Sequence, residues 1–281
     1  MPTFDTPEPI SAVVELVVGD ARITASDRDD TVVEIQPTDS SDEADVRAAQ
    51  QTRVEYTAGR LLVRAPRQRG LGLFGKPGSV DVTIDLPTGS HLHGDAAVAA
   101  FHCAGRLGEC RIKTATGDVQ LEYTGPLEVN TGAGAIAADR VAGPAEITTG
   151  SGRVRLREID GTAVIKNSNG DSWIGEAAGD LRVNAANGSI SVDHANADVN
   201  ASTANGDVRI GGVTRGSASL KTSMGEIEVG IHPGTAARLD VHTQFGRIQN
   251  HLDAANGPGP SDQTVDVSAR TSYGDIVIRR S

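Results

Sequence analysis

From Gly117 onward the chain alternates apolar and polar residues in short bursts, and each burst restarts at a glycine. The pattern is glycine, polar, β-branched, polar, aliphatic: Gly117-Asp-Val-Gln-Leu, Gly152-Arg-Val-Arg-Leu, Gly188-Ser-Ile-Ser-Val, Gly206-Asp-Val-Arg-Ile, Gly225-Glu-Ile-Glu-Val and Gly274-Asp-Ile-Val-Ile. Gly134, Gly170 and Gly246 bring the copies to nine, spaced 17 to 19 residues apart as far as Gly225 and then 21 and 28 apart. A fixed period of this length signals stacked structural repeats.

Each copy carries two alternations. Two and four places after the glycine lie pairs such as Val119/Leu121, Val154/Leu156, Val208/Ile210 and Ile276/Ile278; seven and five places before it lie Cys110/Ile112, Leu127/Val129, Leu181/Val183 and Leu239/Val241. A period of two is that of a strand with one buried face. Three places before the glycine, in the same inward phase, stand Thr114, Thr131, Thr149, Asn167, Thr203, Thr222, Thr243 and Thr271, a column expected to satisfy its own hydroxyls and nearby backbone groups. Asn169, Asn187 and Asn205 precede the glycine in three copies; Asn-Gly accepts positive φ at both places and predicts a tight turn between the two strands. A second glycine (Gly125, Gly143, Gly161, Gly179, Gly216, Gly234) marks the other bend, and no helical period is visible. These elements predict an all-β fold, a parallel β-solenoid (β-helix) of about nine 18-residue coils, some 40 to 45 Å long at a strand spacing of about 4.8 Å. The crossover preference favours a right-handed coil.

Residues 1–90 fall outside this register. Their alternating stretches 12–18, 21–24, 31–36, 51–56, 60–65 and 80–86 predict an N-terminal antiparallel β cap over the first coil's edge, continuous with the solenoid of residues 91–281. Residues 91–108 read as degenerate coils joining the two.

Composition narrows the picture. Eight aromatic residues (Phe 4, Tyr 3, Trp 1) against 33 glycines leave the core to Val, Ile, Leu and Ala. A net charge of -11 repels phosphate backbones and anionic lipids, which argues against nucleic acid as a partner. The N-terminus lacks a basic region, Glu15 interrupts its first apolar run, and no apolar stretch reaches the roughly 18 residues of a membrane span. The expectation is a cytoplasmic protein, with a surface location only if an export signal has been removed. Cys103 and Cys110 form no CxxC or zinc pattern, so free thiols are expected.

The glycine-led repeats, preceded by Val17-Val18-Gly19-Asp20-Ala21-Arg22-Ile23 and Val82-Thr83-Ile84-Asp85-Leu86-Pro87, resemble the bacterial putative-adhesin β-strand-repeat family over nearly the whole chain. The resemblance implies a β-solenoid and no catalytic residues.

Candidate chemistry is sparse, and no catalytic residue, cofactor or metal site is expected. Asp207 and Glu226, each one place after a motif glycine on adjacent coils, could meet the spacing of a glycosidase carboxyl pair, but no histidine or arginine constellation converges on them and charged residues on a solvent face are the expected account. His91, His93, Asp95 and His102 form a weak metal pattern. The stretch 67–78 mixes Arg67, Arg69 and Lys76 with Leu71, Leu73 and Phe74 up to Gly78, and is the place where a partner or, less favoured, a membrane would be touched. Trp173 is expected to point outward between Arg155 and Ser191, with Arg209 a coil further, as a platform for a sugar ring or a protein. Met224, Phe245 and Tyr273 replace the asparagines in the last copies and predict an apolar stripe beside an open C-terminal edge at 276–281. There a second copy pairs, most simply as a two-fold dimer, or the insertion 251–263 folds over; Arg279 and Arg280 are expected to limit further stacking. The function that follows is a non-enzymatic scaffold or interaction module; the alternative is a carbohydrate-binding or glycan-degrading β-helix.

Overall fold

The computed structural model describes residues 1–66, 77–253 and 263–281. It is all-β apart from one short helix, with parallel strands winding round an axis and a small antiparallel sheet near the N-terminus. The strands fall into two compact units, Met1–Ala137 and Ala138–Ser281.

In the first unit the stack starts earlier in the chain than the repeat pattern does. Strand Ser11–Ser26 pairs in parallel with His91–Arg106 along nearly its whole length, placing Gly19 opposite Ala99. Counted from Gly19, the inward positions hold Ala12, Val14, Leu16, Ala21 and Ile23, all buried, so this strand is itself a coil. Its other edge is covered in parallel by Arg60–Arg64 and Ser79–Pro87. The antiparallel pairs lie beyond: Arg53–Thr57 on Arg60–Arg64, and Thr3–Asp5 on Asp30–Pro37, which pairs with Ser79–Pro87. The N-terminal region is therefore a mixed sheet.

The expectation of no helix is corrected by Glu43–Gln51. Asp42 caps it by accepting from the Ala44 amide at 2.7 Å. Buried Asp45 accepts from the amides of Ser79 (2.7 Å) and Asp39 (3.1 Å), tying the helix to the neighbouring sheet. Phe101 is a fully buried ring against Gly94; a side chain at Gly94 would meet its Cε1 at 2.5 Å.

In the second unit the stack is regular from Ala145–Ser151 and Val154–Ile159 through Gly216–Lys221 and Ile227–Ile231, each strand pairing in parallel with its counterpart one coil on. Both predicted inward pairs are buried in these coils, and a third buried column, Val141, Ile159, Ala177, Ala195, Val213 and Ile231, closes the second bend. The motif corner is a bend, not a hairpin: Gly170, Gly188 and Gly206 have φ of 126°, 141° and 142°, while the preceding asparagines stay in the extended ladder. The asparagines stack instead, Asn187 Nδ2 donating to Asn169 Oδ1 at 2.9 Å and Asn205 Nδ2 to Asn187 Oδ1 at 2.8 Å.

The threonine column bonds nearby backbone groups as expected, rather than pairing hydroxyl with hydroxyl. Its hydroxyls bond the backbone of the neighbouring coil: Thr203 Oγ1 donates to Gly188 O (3.1 Å), Thr222 to Gly206 O (2.9 Å) and Thr271 to Gly225 O (3.1 Å). Buried Thr149 Oγ1 has no partner. Thr203→Val should therefore cost about 1 kcal/mol and Thr149→Val should be close to neutral. Denaturant unfolding of the two variants side by side checks this, and equal losses would contradict it.

The final coils are stacked out of sequence order. Strand Gln263–Tyr273 lies between Gly216–Lys221 and Thr235–Phe245, and Ile276–Arg280 lies between Ile227–Ile231 and Ile248–Asn250. Among the described residues the open edge is thus Thr235–Phe245 with Ile248–Asn250, not residues 276–281. Arg279 and Arg280 do not guard it: Arg279 Nε holds Glu228 Oε1 at 2.6 Å, and Arg280 Nη1 donates to Thr235 O at 2.9 Å.

Candidate functional site

Strand Ser172–Ala177 presents Trp173 on the outer face, where pairing sets it between Arg155 and Ser191, with Arg209 beyond. The Arg155 guanidinium carbon lies 5.0 Å from the ring centroid, and the indole Nε1 donates to Asp193 Oδ1 at 3.3 Å. Gly175 lets the ring lie down, since a side chain there would meet Trp173 Cη2 at 3.1 Å and Arg157 O at 2.5 Å. The indole is half-buried, with Arg155 and Arg157 exposed on the adjacent strand and Arg153 exposed just before it. Arg209 is held by Glu228, Nε to Oε2 at 3.2 Å.

Of the candidate acid–base pair, the Asp207 carboxylate is otherwise engaged. Asp207 Oδ1 accepts from the Glu226 amide at 2.8 Å, and Asp118, Asp171 and Asp275 accept from the amides of Ala135 (2.7 Å), Ser189 (2.9 Å) and Arg247 (2.8 Å) in the same way. The carboxylate after the motif glycine ties one coil to the next, which explains its recurrence. His91 Nδ1 accepts from the Glu109 amide at 2.9 Å, whereas His102 sits past the corner beside Gln120. The four residues are not brought together, and among the described residues no group of three or more His, Cys, Asp or Glu is placed to hold a metal. Cys103 and Cys110 are free and buried; burial pushes the Cys110 thiol up to about 11 and holds Cys103 well above its ordinary value. Leu71, Leu73 and Phe74, with most of the stretch 67–78, lie outside the described residues.

The open edge carries the predicted stripe. Met224, Tyr273 and Phe245 occupy one column at 55%, 56% and 56% exposure, and the rings of Phe245 and Tyr273 stack at 4.9 Å with 11° between planes. Leu239, Val241 and Thr243, buried in equivalent positions of other coils, are half-buried here, and Ile248 is 47% exposed. Sequence reasoning missed Ile248 because it assigned the edge to the wrong coil. It also missed an open cleft of about 330 Å³ in the first unit, lined by Val18, Asp20, Thr38, Asp81, Val98 and Thr116. Only 251–253 and Gln263 of the insertion 251–263 are among the described residues.

Together these features define a β-solenoid. The chain belongs to the Toastrack DUF4097 family, whose profile matches residues 20–279 and bears out the family resemblance of the repeats. No curated protein matches it significantly. Among solved structures it is similar to a putative cell adhesion protein from Clostridium sporogenes (10% identity, TM-score 0.23, covering 100% of this chain and 98% of that one). It is also similar to a putative adhesin from Bacteroides fragilis (13% identity, TM-score 0.36, covering 99% and 95%). Among the described residues no helix is long and apolar enough to cross a membrane.

Proposed function

We propose that this adhesin-like β-solenoid is a non-enzymatic interaction module that assembles with a second copy of itself through the terminal coil. The observation carrying this is that coil's uncovered inward face. Leu239, Val241 and Ile248 meet solvent beside an edge whose far side, among the described residues, no strand pairs. Unpaired strand groups next to apolar side chains favour another strand edge. In the first unit the outermost parallel strands already have antiparallel partners, so the fitting edge is the same edge of another copy. Pairing like with like is antiparallel, two-fold and closed, and makes dimers instead of filaments.

Light scattering across a concentration series tests this. The expected mass is twice 29.1 kDa, and Ile248→Asp should return it to the monomer without changing the circular dichroism spectrum. A monomer persisting to about 100 μM, corresponding to a free energy weaker than about 5.5 kcal/mol, would overturn the proposal.

A further inference from the structure

We infer that the outer face around Trp173 binds an acidic saccharide, a chain of uronate-type sugar units running across the strands. The inference rests on different residues from the self-association above. Arg155 and Arg157, with Arg153 just before their strand, lie exposed together on a chain whose net charge is -11. The neighbouring carboxylates are spoken for: Asp171 by the Ser189 amide, Asp193 by the indole, Glu176 by Asn196, and Glu158 by Arg140 and Arg157. Arg153 and Arg155 have no acidic partner among the described residues, and Arg155 is held only by the ring face. Two guanidinium groups outside any ion pair, one of them over an aromatic ring, suit a ligand that is both anionic and ring-shaped.

The shape supports a sugar over a peptide. Arg155 lies over the indole ring, and the next coils place the small side chain of Ser191 and then Arg209 in the same row. Successive strands are about 4.8 Å apart, close to the length of one hexose unit, so a linear polysaccharide laid along the stack meets one row of side chains per sugar. One sugar unit sets its C–H face on the indole, and the next unit along, over the Arg155 coil, brings its carboxylate to the arginine row. An extended acidic peptide has no ring to use the indole, and its side chains alternate in direction.

Trp173 is the only tryptophan, so its fluorescence reports this site alone. Titration with oligogalacturonate should give a saturable change that weakens as salt is raised, and a neutral gluco-oligosaccharide of equal length should give none. By calorimetry, Arg153→Gln/Arg155→Gln should weaken oligogalacturonate binding at least tenfold, as should Trp173→Ala. The arginine variant keeps the test valid if loss of the half-buried indole disturbs folding. No saturable change with the wild-type protein, or undiminished binding by the arginine variant, would overturn the assignment. Equal affinity for polyglutamate would overturn it in favour of an acidic protein surface.

Discussion

Gly188→Val is expected to lower the stability of the protein by about 3 kcal/mol or more, a loss beyond an ordinary surface replacement. Two causes act together. The residue sits at φ 141°, a conformation that β-branched side chains resist, and a Cβ there would run into the carbonyl oxygen of Gly170 on the adjacent coil. That carbonyl accepts from the buried Asn167 Nδ2 at 2.9 Å, and moving it would disturb that bond. Thermal unfolding of the variant checks the expectation. Gly59→Val supplies the control, because Gly59 has φ 77° but nothing within 4 Å of a built Cβ, so only the backbone term remains. Equal losses at the two positions would show that coil spacing contributes nothing.

Phe101→Ala should cost about 3 to 5 kcal/mol, the range for deleting a buried ring. Phe101 is fully buried and fills the volume that Gly94 leaves on the same strand. In a core of Val, Ile, Leu and Ala side chains, no neighbour is long enough to collapse into that space. Denaturant unfolding reads the loss directly. A change below about 1 kcal/mol would mean that the first unit tolerates a cavity at its largest core side chain.

The repeat was legible because burial imposes the same demand on every coil. Val208 and Ile210 sit in one environment eighteen residues after Ile190 and Val192, so the alternation recurs with the period. The helix Glu43–Gln51 was illegible because its buried positions hold Asp45 and Ala48, which draw no apolar stripe; the cap at Asp42 and acidic Glu43 were the available signal. Ser11–Ser26 hid its kinship because its nearest counterpart in the stack, His91–Arg106, carries Ala99 where the other coils carry glycine. At the candidate surface the sequence placed Trp173 beside Arg155 through the period alone. It could not show that Arg209 is tied to Glu228, since Glu228 lies a coil further and charge pairing across strands depends on side-chain reach. The order of the last coils was hidden for a related reason: a period records which residues are equivalent, not which copies are neighbours.

That exchanged order separates the direction of synthesis from the direction of assembly. When Thr235–Asn250 leaves the ribosome, the strands it will rest on do not yet exist, because Gln263–Arg280 must first slide in beside Ile227–Ile231. Elsewhere in the second unit each new coil can settle on the one made before it. Residues 235–280 instead settle as a pair once Ile276–Arg280 has been made, with that strand acting as a keystone. A ribosome that stopped after residue 262 would release a chain lacking two settled coils, although only one would be absent from its sequence.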